Sequence, residues 1–330
     1  MNKKYLIFGI IVFIIIGISA LSFRTIPKVN EEPVWEFRAV DTVKYSRDVA
    51  GQMIGKPEYD SVIDKQTADI ASLGASHIAI ASPYDEAYIP FLKRWVTAAR
   101  KYNLKVWFRG NFAGWENWFG YSRIDRETHK KLLESFILNN PDLFEDGDIF
   151  TSCPECENGG PGDPRLNGDP EGHKKFLIEE YQISIKSFGA INKKVNSGFY
   201  SMNYDVAKLI MDKETTRALG NIVSIDHYVR DPKKVAEDAR EIAKQSGGKV
   251  VLGEFGAPIP DIHGDLSQEE QSEWIKESLE EVLKVPEVIG VNYWVSVGGS
   301  TRLWDDNDQK RSAADTLAYY FKMLKTVSTP

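Results

Sequence analysis

The sequence predicts an α/β protein of the (β/α)8-barrel class, with all strands and helices in one domain. Short apolar runs alternate with segments of helical periodicity eight times over about 290 residues. The runs are continuously apolar, as in parallel strands that helices cover on the outside. Eight such pairs in this length match the dimensions of a closed barrel. A doubly wound open sheet is the alternative, but no G-x-G-x-x-G loop follows the first strand.

The eight predicted strands are apolar runs bounded by turn residues and helix-period segments. They are expected at Phe37–Val40, Ile78–Ala81, Lys105–Phe108, Asp148–Thr151, Val195–Phe199, Ile222–Ile225, Lys249–Leu252 and Val288–Tyr293. Start signals mark three of the intervening helices: the Asp-Pro pairs at 169–170 and 231–232, and a capping box at 267–270.

The first 35 residues are expected to lie outside the barrel, which is assigned to residues 36–328. Residues 5–23 form an uncharged, strongly apolar run with Lys3 and Lys4 before it and Arg24 after it. This length is close to the minimum for a membrane span, roughly 17 residues. Residues 1–24 are therefore expected to be a signal anchor or a cleaved signal peptide, and residues 25–35 a tether. The charge asymmetry places the domain outside the cytoplasm, either anchored or secreted.

Composition restricts the classes of partner. The net charge is −7 and no basic stripe with interleaved aromatics is present, which argues against nucleic-acid binding. We expect a monomer that contacts the membrane only through its N-terminal segment. Among the aromatic residues are 8 Trp and 14 Tyr, and several stand in Gly/Asn-rich loops, where core packing explains them less well.

Two glutamates stand at the ends of predicted strands. Glu155 follows strand four in "SCPECENGG", and Glu254 follows strand seven in "GEFGAP". Sites in barrels are built at the carboxyl ends of the strands, so these side chains can face each other across one cleft. A protonated and an ionised carboxyl group together can cleave a glycosidic bond. Glu157 is an alternative acid/base.

Aromatic and polar residues in the same loops predict a sugar-binding cleft. Sugar rings have apolar faces that stack on Trp and Tyr, whereas Asn, Arg and His bind their hydroxyl groups. The candidate substrate-binding residues are Arg109, Asn111, Trp115, Trp118, Asn158, His227, Tyr228, Trp294 and Trp304. Packing of a lid is the alternative role for Trp115 and Trp118.

Short motifs resemble the retaining (β/α)8 glycoside hydrolases of clan A, which include family 5 cellulases and mannanases. Gly253-Glu254-Phe255-Gly256 is similar to the clan's nucleophile motif, His227-Tyr228 to its His/Tyr pair, and Tyr293-Trp294 to its sugar-platform tryptophan. Glu155 stands where the clan has its acid/base. The resemblance implies that Glu254 is the nucleophile and that the tyrosine hydrogen-bonds it.

The residue before the predicted acid/base departs from this pattern. The clan has Asn there, which ordinarily holds the substrate's 2-hydroxyl, and this chain has Pro154. Asn158 or Asn111 could take that role. The resemblance also implies an active-site arginine, for which Arg109 is the nearest candidate.

The expected activity is hydrolysis of β-glycosidic bonds in a poly- or oligosaccharide by double displacement. A non-catalytic carbohydrate-binding barrel is the alternative, because of the substitution at Pro154. A metal-dependent barrel hydrolase ranks lower, since the five histidines never form a His-x-His pair. No cofactor and no metal are expected. The loop with Asp163 and Asp169 lacks the EF-hand spacing.

Cys153 and Cys156 flank Glu155 in a C-x-x-C pattern. Redox chemistry would require a thioredoxin-like βαβ context, and no second pair completes a four-cysteine zinc site. We hypothesise that they form a small disulfide that pins the loop carrying Glu155.

Overall fold

Eight parallel strands curl into a barrel in a computed structural model, which describes residues 35–324. They pair in the order β4-β3-β2-β1-β8-β7-β6-β5. A bridge between Ile149 and Asn196 joins β4 to the segment before β5, and thereby closes the ring. The predicted fold class is confirmed. The strands are β1 (Phe37–Asp41), β2 (His77–Ile80), β3 (Lys105–Phe108), β4 (Ile149–Phe150), β5 (Ser201–Asn203), β6 (Ile222–Asp226), β7 (Lys249–Phe255) and β8 (Val288–Tyr293).

Helices of the described region surround these strands, and neighbouring helices pack on one another: α2 on α3, α4 on α6, α9 on α11, and α11 on α12. All three predicted start signals are confirmed, since the capping box at 267–270 forms and Asp169 and Asp231 cap their helices. The α-helices are α1 (Ser46–Met53), α2 (Asp60–Ser72), α3 (Ile89–Lys101), α4 (Arg126–Asn139), α5 (Pro164–Asn167), α6 (Pro170–Ala190), α7 (Tyr204–Ile210), α8 (Lys213–Ala218), α9 (Pro232–Ser246), α10 (Pro260–His263), α11 (Gln268–Val282) and α12 (Ser312–Met323).

The interior of the barrel is a packed apolar layer that carries the site at its carboxyl end. Phe37 and Ala39 of β1 meet Trp107 of β3 in this layer, and the Phe37 and Trp107 rings contact edge to face at 5.4 Å. Successive side chains of a strand point to opposite faces, so the inward positions continue to Asp41 and Arg109. These two side chains meet where β1 and β3 end, with Arg109 Nη1 donating to Asp41 Oδ2 at 2.5 Å.

The fifth strand is displaced from its predicted position. The sequence predicts Val195–Phe199, whereas the regular strand is Ser201–Asn203 and the earlier segment contributes only the bridge at Asn196. Gly198 explains the difference, because its φ of 90° interrupts the extended run. A Cβ atom there would approach the Leu219 carbonyl oxygen to 2.5 Å, so no other residue fits.

The predicted signal anchor at residues 5–23 and residues 25–34 of the predicted tether lie outside the described residues, as do residues 325–330. Trp35, the last residue assigned to the tether, is 1% exposed and packs in the apolar core, so it belongs to the barrel domain. Between residues 35 and 324, none of the helices combines the length and the apolar character needed to cross a bilayer.

Candidate active site

A cleft of about 230 Å³ opens at the carboxyl ends of the strands. Glu155 and Glu254 both line it, so the two carboxyl groups that the sequence singles out face one space. The lining residues are Asp41, Val43, Tyr45, Ser46, Arg47, Ala81, Arg109, Glu116, Trp118, Pro154, Glu155, Asn158, Glu254 and Trp294.

Glu254, near the end of β7, is held by donors on both carboxyl oxygens. Arg109 Nη2 donates to Oε1 at 3.0 Å, and the Tyr228 hydroxyl donates to Oε2 at 2.6 Å. The His227 N–H donates to the Glu254 carbonyl oxygen at 2.9 Å, which fixes the backbone of this position. A carboxylate is acceptor-only, so this environment suits the ionised form.

Arg109 is a buried cation among carboxyl groups. Besides Glu254 and Asp41, it contacts Ser201 Oγ at 3.0 Å and lies 3.6 Å from Asp226 Oδ2. Burial works against the charge, but Asp41, Glu254 and Asp226 outweigh it and raise the pKa of Arg109 above its ordinary value. The guanidinium therefore remains charged and orients Glu254.

Two aspartates complete this buried cluster. Burial raises the pKa of Asp41 to about 6, although Arg109 and Asn292 oppose the shift. Burial also raises the pKa of Asp226 well above its ordinary value, and Glu254 adds to the effect. Neither oxygen of Asp226 has a hydrogen-bond partner among the described residues. Burial therefore shifts Asp226 towards its neutral form, which reduces the negative charge packed around Arg109.

Glu155 occupies a left-handed backbone conformation with φ 45° in the loop after β4. Its N–H donates to the Ser201 carbonyl oxygen at 2.8 Å, and Asn158 Nδ2 donates to its Oε2 at 3.0 Å. Burial raises the pKa of Glu155 to about 8, with further contributions from Glu254 and Glu157 and opposition from Arg109. This carboxyl group keeps its proton at neutral pH.

The loop carrying Glu155 is closed by a disulfide between Cys153 and Cys156, which confirms the hypothesis made from the sequence. Both cysteines are buried. The covalent ring encloses Pro154 and Glu155, so it restrains the backbone that aims the carboxyl group.

Glu157 has a different environment from Glu155. Its side chain is buried and does not line the cleft, and its Oε1 accepts hydrogen bonds from Asn203 N at 2.8 Å and Asn203 Nδ2 at 3.1 Å. Burial raises its pKa, but its contacts tie the loop to the end of β5. The geometry therefore favours Glu155 over Glu157 as the group that reaches a ligand.

Two predicted sugar contacts form aromatic walls of the cleft. Trp118 lies in the loop after β3, and the Arg47 guanidinium stands 4.6 Å from its ring centre. Trp294 follows β8 and meets the Tyr228 ring edge to face at 6.0 Å. Both indoles expose apolar surface beside the carboxyl pair, as stacking on a sugar ring requires.

Other predicted contacts lie behind the cleft wall. Trp115 is 1% exposed, stacks on Phe176 at 5.0 Å, and donates from Nε1 to the Cys156 carbonyl oxygen at 3.3 Å. Trp304 is also buried. This placement does not support the sugar contacts predicted for them, because packing of the loops accounts for both indoles.

Asn111 and His227 are likewise buried and do not line the cleft. His227 Nε2 lies 2.8 Å from Asp238 Oδ2 on α9, and its neighbour Tyr228 reaches Glu254. Both residues therefore act on neighbouring side chains or backbone, and direct sugar contact is not supported for either.

Sequence reasoning missed Asp41, Asp226 and Glu116. The two aspartates close the apolar runs "FRAVD" and "IVSID", and a polar residue at the carboxyl end of a barrel strand is a usable signal. Glu116 stands in the middle of a long loop, where no periodicity indicates the direction of its side chain.

Across residues 35–324, no group of three or more His, Cys, Asp or Glu side chains is arranged to hold a metal ion. The aspartates of the glycine-rich loop begin helices, since Asp163 accepts from Arg165 N at 2.8 Å and Asp169 from Gly172 N at 3.0 Å.

Comparison with solved structures places this barrel among known folds. The chain shares its fold with glycoside hydrolases. A GH5_18 protein of Streptomyces cattleya in complex with GlcNAc aligns over 90% of this chain and 82% of its own, with a TM-score of 0.65 and 14% identity. A GH5_18 variant from Bifidobacterium longum in complex with Manβ1-4GlcNAc aligns over 89% and 79%, with a TM-score of 0.64 and 14% identity.

A β-D-glucuronidase from Dictyoglomus thermophilum aligns over 90% of this chain and 52% of its own, with a TM-score of 0.59 and 16% identity. No sequence-family profile and no curated protein matches this chain. At identities this low, the comparisons establish the barrel fold alone.

Proposed function

We propose that the protein is a retaining glycosidase that hydrolyses β-glycosidic bonds of a poly- or oligosaccharide. Glu254 is the nucleophile and Glu155 the acid/base. The observation that carries the proposal is the contrast between two carboxyl groups of one cleft. Glu254 accepts hydrogen bonds on both oxygens, whereas the pKa of Glu155 is raised to about 8 by burial and by neighbouring carboxylates. Such a pair divides the roles of nucleophile and acid.

In the first step, Glu155 donates its proton to the glycosidic oxygen while Glu254 attacks the anomeric carbon. The bond to the leaving group breaks, and a glycosyl ester forms on Glu254. In the second step, the Glu155 carboxylate takes a proton from water, which attacks the same carbon. The ester bond breaks, Glu254 regains its charge beside Arg109 and Tyr228, and the product keeps its β configuration.

The substrate class follows from the walls of the cleft and from the relatives in fold. Trp118 and Trp294 offer stacking surfaces for sugar rings, and Asn158 stands beside Glu155 with a side-chain amide. A β-linked glucan, a mannan or a related sugar fits these features. The ligands of the GH5_18 structures add GlcNAc and Manβ1-4GlcNAc to the compounds worth assaying.

The proposal includes a cellular location outside the cytoplasm. The apolar run at residues 5–23 supports a protein held at, or released from, the outer face of a membrane. The monomeric state is proposed with it. Membrane fractionation of cells that express the full chain, followed by protease treatment of intact cells, tests this placement. Protection of the barrel from the protease would contradict it.

A substrate screen tests the activity. The purified full-length protein is incubated with aryl β-glycosides, β-glucan, mannan and Manβ1-4GlcNAc, beside Glu254→Gln. Turnover that the substitution abolishes supports the proposal, and normal turnover in Glu254→Gln would refute it. Binding of sugar without turnover would leave a non-catalytic carbohydrate-binding barrel, which the departure at Pro154 keeps as the second candidate.

The stereochemistry is tested on the first product formed. Nuclear magnetic resonance at early times is expected to show the β-anomer, because two displacements restore the starting configuration. A 2-deoxy-2-fluoro glycoside should leave a covalent adduct on the peptide that contains Glu254. An α-anomer as first product would indicate inversion and exclude a covalent intermediate on Glu254.

A further inference from the structure

A third glutamate, Glu116, lines the cleft from the loop after β3. Its carboxyl group contributes to the raised pKa of Glu155, so the two carboxyl groups are close enough to interact electrostatically. Oε1 of Glu116 accepts a hydrogen bond from Asn111 Nδ2 at 2.9 Å. Oε2 accepts none from the described residues. One oxygen is thus anchored, and the other is available to a ligand in the cleft.

The orientation of Asn111 is fixed by the backbone. The Phe112 N–H donates to Asn111 Oδ1 at 2.7 Å, and a backbone N–H can only donate. The amide nitrogen of Asn111 must therefore point at Glu116. His129 Nε2 lies 2.9 Å from the same Oδ1, so this nitrogen carries the hydrogen.

A chain of buried polar side chains supports the contact between Asn111 and Glu116. His129 Nδ1 lies 3.1 Å from Glu180 Oε1, which extends the chain from the cleft through α4 to α6. The side chains of Asn111, His129 and Glu180 are all fully buried. Burying polar groups is costly unless they are hydrogen-bonded, and a connected network rigidifies its members. If Glu116 served only to solvate its loop, this buried support for its side chain would not be needed.

We propose that Glu116 is a substrate-positioning residue whose Oε2 accepts a hydrogen bond from a hydroxyl group of the sugar in the cleft. This inference rests on the proposed function, because it assigns a further role within the same cleft. In its ionised form the carboxyl group repels the carboxylate of a uronic acid, whereas neutral, hydroxyl-bearing sugars meet no such repulsion. The buried chain from Glu180 to Asn111 fixes Glu116 before the ligand arrives.

The environment of Glu116 is consistent with this role. Burial raises its pKa to about 7, although the hydrogen bond from Asn111 and the charge of Arg47 oppose the shift. Both protonation states leave an acceptor oxygen for a hydroxyl group.

Glu116→Gln tests the proposal with little change of shape. A glutamine keeps a carbonyl oxygen for Asn111 but places an NH2 group where the free acceptor stood. Affinities for cellotetraose, mannotetraose and Manβ1-4GlcNAc are measured by calorimetry in the full chain carrying Glu155→Gln, which suppresses turnover. We expect Glu116→Gln to weaken binding of the accepted sugar about 10- to 100-fold. Glu171→Gln, on a side chain 82% exposed in α6, is the matched control and should change nothing.

A ratio of affinities separates positioning from a structural role. Aryl glycosides are compared in the Glu254→Gln chain, which lacks the nucleophile, and at pH 8, above the pKa of Glu116. Binding of an aryl β-glucuronide relative to the matching β-glucoside should rise in Glu116→Gln, because the repulsion is removed. Thermal melting accompanies each variant. Glu116→Asp keeps the charge but shortens the side chain, and it should show weaker binding if Glu116→Gln unfolds. Affinities and a ratio equal to those of the parent in a folded variant would overturn the proposal.

The outcomes also distinguish this proposal from the glycosidase itself. If the native chain binds sugar without cleaving it, and Glu116→Gln weakens this binding, the proposed hydrolysis is refuted. The role of Glu116 as a sugar contact is then retained. Turnover in the native chain that Glu116→Gln leaves unchanged would overturn the role of Glu116 alone. Failure of the native chain both to bind and to cleave these probes would overturn both.

Discussion

The Tyr228 hydroxyl donates a hydrogen bond to Glu254 Oε2 over 2.6 Å, while the backbone of the preceding residue, His227, binds the Glu254 carbonyl oxygen. The end of β6 thus holds both the side chain and the backbone of the proposed nucleophile. Arg109, directly after β3, holds the other carboxyl oxygen. The direction of the Glu254 carboxylate is fixed by neighbours at the ends of two strands before a substrate binds.

Tyr228→Phe removes one of these restraints without changing the packing of the ring. We expect kcat on an aryl β-glycoside to fall about 10- to 100-fold, the range for a hydrogen bond to a charged group. Steady-state kinetics measure the effect, and circular dichroism verifies the fold. Tyr319→Phe, on a side chain 64% exposed, is the control. Equal turnover in the Tyr228 variant and the native protein would contradict the role assigned to this bond.

Glu155→Gln and Glu157→Gln distinguish the two candidate acids. Glu155→Gln removes the proton donor, so hydrolysis of glycosides with poor leaving groups should fall about 10²- to 10⁴-fold, with less effect on activated ones. Glu157→Gln retains an oxygen for the Asn203 N–H, so its kinetics should stay within a few-fold of native. The reverse pattern, with the large loss in Glu157→Gln, would show that the acid has been assigned to the wrong residue.

The pH dependence of kcat/KM reports the protonation state that Glu155 needs. Its pKa is raised to about 8, and the acid must carry its proton, so activity should be full below this pH and decline as pH rises through it. The decline above the pKa should approach tenfold per pH unit. In Glu155→Gln this alkaline limb should vanish from the remaining activity on activated substrates. A limb that persists unchanged in the variant would belong to another group.

Arg109→Met leaves Asp41 and Glu254 without their buried counter-ion. Breaking a buried ion pair on one side costs about 3–5 kcal/mol, so urea unfolding should show a loss of stability of that order at pH 7. The loss should shrink at acid pH, because protonated carboxyl groups need no counter-ion. Arg123→Met, on an exposed arginine, is the control. Unchanged stability in Arg109→Met would show that solvent reaches and screens these carboxylates.

Much of the fold follows from local sequence signals, because each barrel strand is a short apolar run between strong helix starts. The displaced fifth strand shows the limit. Gly198 interrupts the apolar run at 195–199 from which the strand was predicted. The position of the regular strand is decided by its hydrogen bonding to β6 and by the bridge to β4, which are remote in sequence. Both predicted glutamates line the cleft, because the barrel's geometry forces the ends of its strands together.

The walls of the cleft were less predictable. Trp115 and Trp118 stand three residues apart in one loop, yet one packs on Phe176 and the other lines the cleft. Composition cannot separate them, since the difference depends on contacts with α6 that are remote in sequence. The same reason hides Glu116, whose direction is determined by Asn111 and His129.

The bond between Cys153 and Cys156 makes the geometry of Glu155 sensitive to the redox state of its surroundings. Protein produced in a reducing cytosol would carry two thiols there, and the loop could relax while the barrel stays intact. Weak activity from such a preparation would then reflect how the sample was made. Thiol titration before any assay, and production in an oxidising compartment, should accompany every measurement on this site.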